Sequence, residues 1–421
     1  MASVGMSVGR GVRVMGLIGT AHFMSHFYFL ALPPLFTVLS AELHLSYTAL
    51  GFLLTVLNLT STLATTPVGF IVDRFGARRV LVGGLLVQAV ATGAIGLVDS
   101  YLAWVGLFGI AGIAYAVYHP ADYAIMSAAV PDPWRGRAFS VHACSGNLGS
   151  AAVPLTMVWL SHVWGWHAAF VAIGLVGVAL AILIALQGDT LVDETETTRR
   201  AAKANPVPSP KPAVNLRQEF AMLFTAPVMM CFLYYVVSQM SLGGLRSFAA
   251  AALVDMNHAS LAAANAALTG LMLAAATGIL VGGWVADRFG PRVLTAVIGL
   301  VASAGLLFVI GSVSLPIVAI TVLLSLSGFL RGTIQSTRDL IVLSVTPKGA
   351  TGKVFAFVYN GATIGGMIVP LVFGWVLDSG TPSAVFWVSG CAMLAALLTF
   401  IGIKRAIASG RGDVEPAADA A

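Results

Sequence analysis

Three arginines stand inside long apolar runs: Arg246, Arg331 and Arg338. A cation at that depth in hydrocarbon is costly, and it persists where a cavity, a partner or a ligand compensates it. Arg331, Gln335 and Arg338 follow the i, i+4, i+7 spacing that places three side chains on one helical face. A guanidinium forks onto carboxylate or phosphonate through two parallel hydrogen bonds, so this face reads as an anion-holding stripe. Arg331 is the first candidate, because it lies near the middle of its run with no acidic neighbour within a turn. Arg246 is the second. The competing reading for each is an arginine held by backbone carbonyls or a neighbouring span.

Tyr115, His119 and Asp122 repeat the same spacing earlier in the chain. An offset of 216 residues aligns them with Arg331, Gln335 and Arg338, so one half carries an acidic stripe and the other a basic one. Asp122 and Arg338 fall toward the ends of their runs, where a gating bridge between two lobes is expected. His22 and His26 are an i, i+4 pair, and with His119 and His142 they could line a cavity. Histidine titrates near neutral pH, so His22, His26 and Asp122 are rival carriers of a coupling proton. Hydrogen bonding to substrate or to other helices is the plainer role for the histidines. A transition-metal site is a weaker reading, since these histidines are spread over three spans; no metal and no cofactor is expected. Tyr115, His119, Asn147, Tyr359 and Asn360 complete the expected substrate-contacting set.

These side chains need helices that live in lipid. Of 421 residues, 58% are hydrophobic and only 9% charged, whereas soluble domains carry about 25% charged residues. The apolar runs approach or exceed the ~20 residues that cross a ~30 Å hydrocarbon core. Twelve spans are expected, near 14–39, 47–71, 79–98, 101–129, 138–162 and 167–187, then 222–253, 260–286, 292–312, 315–345, 354–377 and 383–403. Residues 1–187 then form one six-helix bundle, 188–220 a Pro-rich charged linker, 221–405 a second bundle and 406–421 a tail. Nineteen of the 22 Lys and Arg fall on one side of that topology. By the positive-inside rule, both termini and the linker are cytoplasmic. The same sidedness accounts for the net charge of +5 without nucleic acid. Cys144, Cys231 and Cys391 lie in apolar runs without the pairing of a disulfide framework or zinc site. No leader with a cleavage pattern precedes the first span. No Ser-His-Asp pattern, paired catalytic carboxylates or nucleotide loop points to an enzyme.

A charged hairpin occurs twice. Gly69, Asp73, Arg74, Gly76, Arg78 and Arg79 make the first copy, and Gly283, Asp287, Arg288, Gly290 and Arg292 the second, half a chain later. Pro131, Gly136, Phe139, Gly149 and Pro154 also recur as Pro347, Gly352, Phe355, Gly365 and Pro370. Two homologous bundles that rock about a midplane site are the architecture such a repeat supports. Asp73, Arg74, Arg78, Asp287 and Arg288 are the expected gating latch, with Gly69 and Gly283 as points of close helix approach.

The hairpin resembles the signature of the major facilitator superfamily, and the likeness spans nearly the whole chain. It implies an all-α fold of twelve transmembrane helices in two pseudo-symmetric bundles. Ala41-Glu42-Leu43-His44, Tyr118-His119-Pro120 and Ser145-Gly146-Asn147-Leu148-Gly149 are similar to stretches of fosmidomycin-resistance-type bacterial exporters. The resemblance implies a monomeric secondary transporter of a bacterial inner membrane, working in the lipid bilayer by alternating access. Export of a small organic anion or amphiphilic drug by proton antiport is the first expectation, and proton-coupled uptake of a carboxylate the second. Val153 before Pro154, where drug antiporters often place glycine, weakens the antiport reading.

Overall fold

The computed structural model describes residues 8–130, 132–187, 190–191, 222–289, 293–346 and 351–408, and every regular element among them is helical. Apart from Thr190 and Leu191, the expected linker lies outside the described residues, as does the tail beyond Ala408. The first half contains α1 (Val8–Phe29), a 3-10 turn at Pro33–Leu35, α2 (Phe36–Leu43), α3 (Tyr47–Phe75), α4 (Ala77–Ile95), α5 (Tyr101–Tyr115), α6 (Tyr118–Ala129) and α7 (Asp132–Leu186). The second half contains α8 (Ala226–Asn257), α9 (Leu261–Phe289), α10 (Val293–Ser312), α11 (Ile317–Ser344), α12 (Thr351–Asp378) and α13 (Ala384–Ala408).

Among the described residues, ten helical segments are long and apolar enough to cross a membrane, and Ala296–Ser312 is a shorter apolar helix. The chain is therefore an all-α multi-pass membrane protein. Its outward faces carry large apolar side chains, Leu102 and Leu280 being more than three-quarters exposed. Water would not tolerate such a surface; lipid does. The segment Ala138–Leu186 counts once, although its 49 residues would reach about 74 Å as one straight helix. Gly165 interrupts it with φ 82° and ψ 158°.

Proline explains two further breaks. Pro33-Pro34 ends the helix of the first expected span, and the chain continues through the 3-10 turn into α2. Trp166, next to the Gly165 bend, donates its indole N–H to the Glu42 carboxylate at 2.7 Å and so ties α2 to α7. In the fourth expected span, Pro120 has no N–H, and its ring excludes the carbonyl four residues back. The helix accordingly stops at Tyr115 and restarts at Tyr118. Tyr115 thus lies on α5 and His119 and Asp122 on α6, so the acidic stripe is not carried by one continuous helix.

The chain divides into two compact units, one of residues 1–43 and 56–210, the other of 44–55 and 211–421. In the first, α7 packs on α1 and α4, α4 also on α5, and α6 on α1 and α4. In the second, α9 packs on α11, α8 on α12 and α13, and α10 on α11 and α13. The segment 44–55 joins the second unit, where Asp378 accepts the backbone N–H groups of Tyr47 and Thr48 at 2.8 and 2.9 Å. At the first hairpin, Gly76 adopts φ 91°, so the turn between α3 and α4 needs glycine. Gly69 does not fulfil its expectation: a Cβ there would meet nothing within 4 Å. Close approach is made elsewhere, for instance at Gly174 against Gly93 and at Gly332 against Gly278.

Candidate functional site

In the first unit, three helices bring one carboxylate and four imidazoles together. α1 contributes His22 and His26, α6 contributes His119 and Asp122, and α7 contributes His142. Asp122 Oδ2 and His142 Nε2 share a hydrogen bond at 2.9 Å, and His22 Nδ1 lies 3.6 Å from the same oxygen. Asp122 is fully buried, and His22 and His142 nearly so. The rings of His22 and His142 stack at 3.6 Å, while His26 and His119 stand edge-on to His22 at 4.7 and 5.1 Å. His119 is exposed. His26 Nδ1 faces Ser150 Oγ at 3.3 Å.

Local packing explains why the cluster fits. Gly146 on α7 has no Cβ to strike His22 Nε2, which a methyl group at that position would meet at 2.7 Å. One helical turn on, Gly149 lets α7 lie directly against the Phe23 backbone. Tyr115 packs on Phe29 and Tyr118 beside the broken span, and Tyr123 faces both His119 and His142. Asn147 donates one amide N–H to the Ala143 carbonyl one turn back on α7.

A buried carboxylate needs a counter-charge. Among the described residues the ion-pair partners of Asp122 are His22 and His142. Buried imidazoles beside a buried carboxylate are groups on which a proton or another cation can be held.

The second unit holds the opposite charge. Arg331 on α11 is half-buried and donates to Ser241 Oγ at 2.7 Å and to the Ser238 carbonyl at 3.3 Å, both on α8. Among the described residues no carboxylate pairs with it. Two of its five N–H donors are thereby used on uncharged acceptors. Arg338, two turns along α11, lies over the Tyr235 ring at 4.6 Å, and Tyr235 contacts Tyr359 at 4.9 Å. Arg246 and Gln335 are half-buried, and Tyr359 and Asn360 are exposed on α12. Within their own units, Asp122 meets His142 and Arg338 lies over the Tyr235 ring.

The hairpin latch is only partly visible, because the side chains of Asp73 and Asp287 lie outside the described residues. Arg78 donates to the Ala185 carbonyl at 2.7 Å, at the C-terminal end of α7 where a cation complements the helix dipole. Arg74 is exposed against Phe75, and Arg288 is exposed. Sequence reasoning named His142 without placing it among the site residues, read Gly146 only as part of a family-like stretch, and did not find Ser238, Ser241 or Tyr235. Nothing in the spacing of His142 along its own apolar run hints at a contact with Asp122 from another helix.

A family model for the Major Facilitator Superfamily matches residues 18–254 and 231–418. The chain belongs to the Major Facilitator Superfamily. That makes it a transport protein rather than an enzyme, moving small solutes as a secondary transporter. Within the superfamily, the cis,cis-muconate transport protein of Acinetobacter baylyi is 24% identical over 337 residues, 76% of each chain. The D-galactonate transporter of Escherichia coli is 24% identical over 358 residues, 77% of this chain and 80% of that one. A shorter stretch of 119 residues, 27% of each chain, is 29% identical to the probable galactarate/D-glucarate transporter GarP of Escherichia coli. In fold, the chain is similar to a bacterial homolog of the human lysosomal transporter Spinster, with a TM-score of 0.73 and 14% identity over 96% of both chains.

Proposed function

We propose that this facilitator is a proton-coupled symporter that carries a small organic anion of the carboxylate class into the cell. The observation that carries the reading is Arg331, a cation within an apolar helix whose hydrogen bonds go to a serine hydroxyl and a carbonyl. An uncompensated charge at that depth fits an anionic ligand. The named relatives support the same chemistry, since muconate, galactonate, galactarate and glucarate are all carboxylates. Their names do not favour the drug-export reading, which therefore becomes the second one.

Electrostatics argues for the proton. Bringing one negative charge inward against an inside-negative potential costs about 2.3 kcal/mol per 100 mV. A proton moving with each charge cancels that cost. The Asp122–His142 pair, with His22 beside it, is the proposed carrier. Arg331 is the proposed anchor for the carboxylate, with Gln335, Arg246, Tyr359 and Asn360 as surrounding contacts. We take the topology as twelve spans, with Ala138–Leu186 crossing twice and Ala296–Ser312 once, both termini cytoplasmic and the protein monomeric. Asp73, Arg74, Arg78, Asp287 and Arg288 keep their proposed gating role.

Uptake of labelled carboxylates into proteoliposomes tests the assignment. Saturable uptake that is competed by dicarboxylates and sugar acids, and lost in Arg331→Ala, is expected. Uptake of cationic drugs with no response to any carboxylate would reject it.

A further inference from the structure

We infer that His22, His119 and His142 form a binding site for one divalent transition-metal ion of the zinc class. The sequence spreads them over three helices, but the fold gathers one ligand atom from each within 4.8 Å. Imidazole nitrogens suit zinc, cobalt and nickel. A second observation points to a cation at the same place: His22 Nδ1 and Asp122 Oδ1 are buried polar atoms without a hydrogen-bond partner. Buried polar atoms left unpaired are rare in folded proteins.

The carboxylate occupies the position of a supporting group. Asp122 meets His142 at Nε2, so with that contact kept the ring would ligate through Nδ1. A carboxylate behind a ligating histidine orients the ring and raises its basicity, as metal sites commonly require. Tetrahedral zinc with Zn–N bonds of ~2.0–2.1 Å places its nitrogens about 3.3 Å apart. The three imidazoles must therefore close by roughly 1.5 Å or less. His119 is exposed, so it can swing, and its exposure also gives the ion a way in. His22 and His142 lie nearly parallel, 19° between planes, so one ring turns to aim its lone pair at the ion. His26, held toward Ser150, stays outside the ligand set.

The test uses the purified full chain in detergent, without a polyhistidine tag, titrated with Co²⁺ and followed by its visible absorption and by equilibrium dialysis. Binding of one Co²⁺ per chain is expected, with the strong visible bands of a four-coordinate ion, displaced by Zn²⁺. His119→Ala should remove those bands, as should His142→Asn, whereas the exposed His162→Ala should keep them. Parental elution volume and helicity of His119→Ala establish that this variant is folded before its bands are compared. Thermal unfolding provides the second readout, with Zn²⁺ raising Tm in the parent and not in His119→Ala. Absence of saturable Co²⁺ binding, or bands unchanged in His119→Ala, overturns the inference. No substrate enters the measurement, so its failure is distinct from failure of the transport reading, in which the coupling proton competes with the ion for the same nitrogens.

Discussion

Arg331 and Asp122 pose one electrostatic problem with two signs. Arg331 hydrogen-bonds to neutral acceptors on α8, and the proposed carboxylate would supply its counter-charge. Losing a hydrogen bond to a charged group costs about 1.5–3 kcal/mol, which corresponds to roughly 10- to 150-fold in affinity. Arg331→Ala should therefore weaken carboxylate binding by about that factor, measured by competition against a labelled substrate. Arg331→Lys should recover part of it, because charge returns without the planar fork. Asp122→Asn should separate exchange from accumulation: counterflow of substrate persists, while uptake driven by a pH gradient is lost. Both residues were legible in the sequence, since a charge in an apolar run announces itself. Their partners were not. Ser238 and Ser241 are uncharged and common in membrane helices, and His142 meets Asp122 only because α6 and α7 pack together.

At the level of elements, the breaks in helices place the chemistry. Pro120 divides the fourth expected span between α5 and α6, directly beside His119 and Asp122. Most helix ends among the described residues were readable from apolar length. The one continuous helix expected to carry Tyr115, His119 and Asp122 is divided, although all three side chains still meet the histidines of α1. The hairpin glycines behave unequally. Gly76 is required by its backbone angle, whereas Gly69 faces open space. Gly76→Ala should destabilise the protein by roughly 1–3 kcal/mol, seen as a lowered Tm in detergent, while Gly69→Ala should leave Tm nearly unchanged. Gly146→Val should crowd His22 and His26, impairing uptake more than folding.

For the molecule as a whole, two units divide the charge: an acid–histidine cluster in one and an arginine-bearing helix in the other. The repeat of hairpins, and of Pro131, Gly149 and Pro154 with their later counterparts, reveals this twofold organisation in the sequence alone. The relation between the stripes also followed from that offset, while their substrate did not, because a guanidinium recognises carboxylate and phosphonate alike. The central claim is that an anion enters together with protons. It is tested most directly by enclosing a pH dye in proteoliposomes and adding muconate or galactarate outside without an imposed gradient. The account predicts that the lumen acidifies on substrate addition, and that Asp122→Asn and Arg331→Ala both abolish the change. Alkalinisation of the lumen, or substrate entry with no pH change in the parent protein, would contradict it.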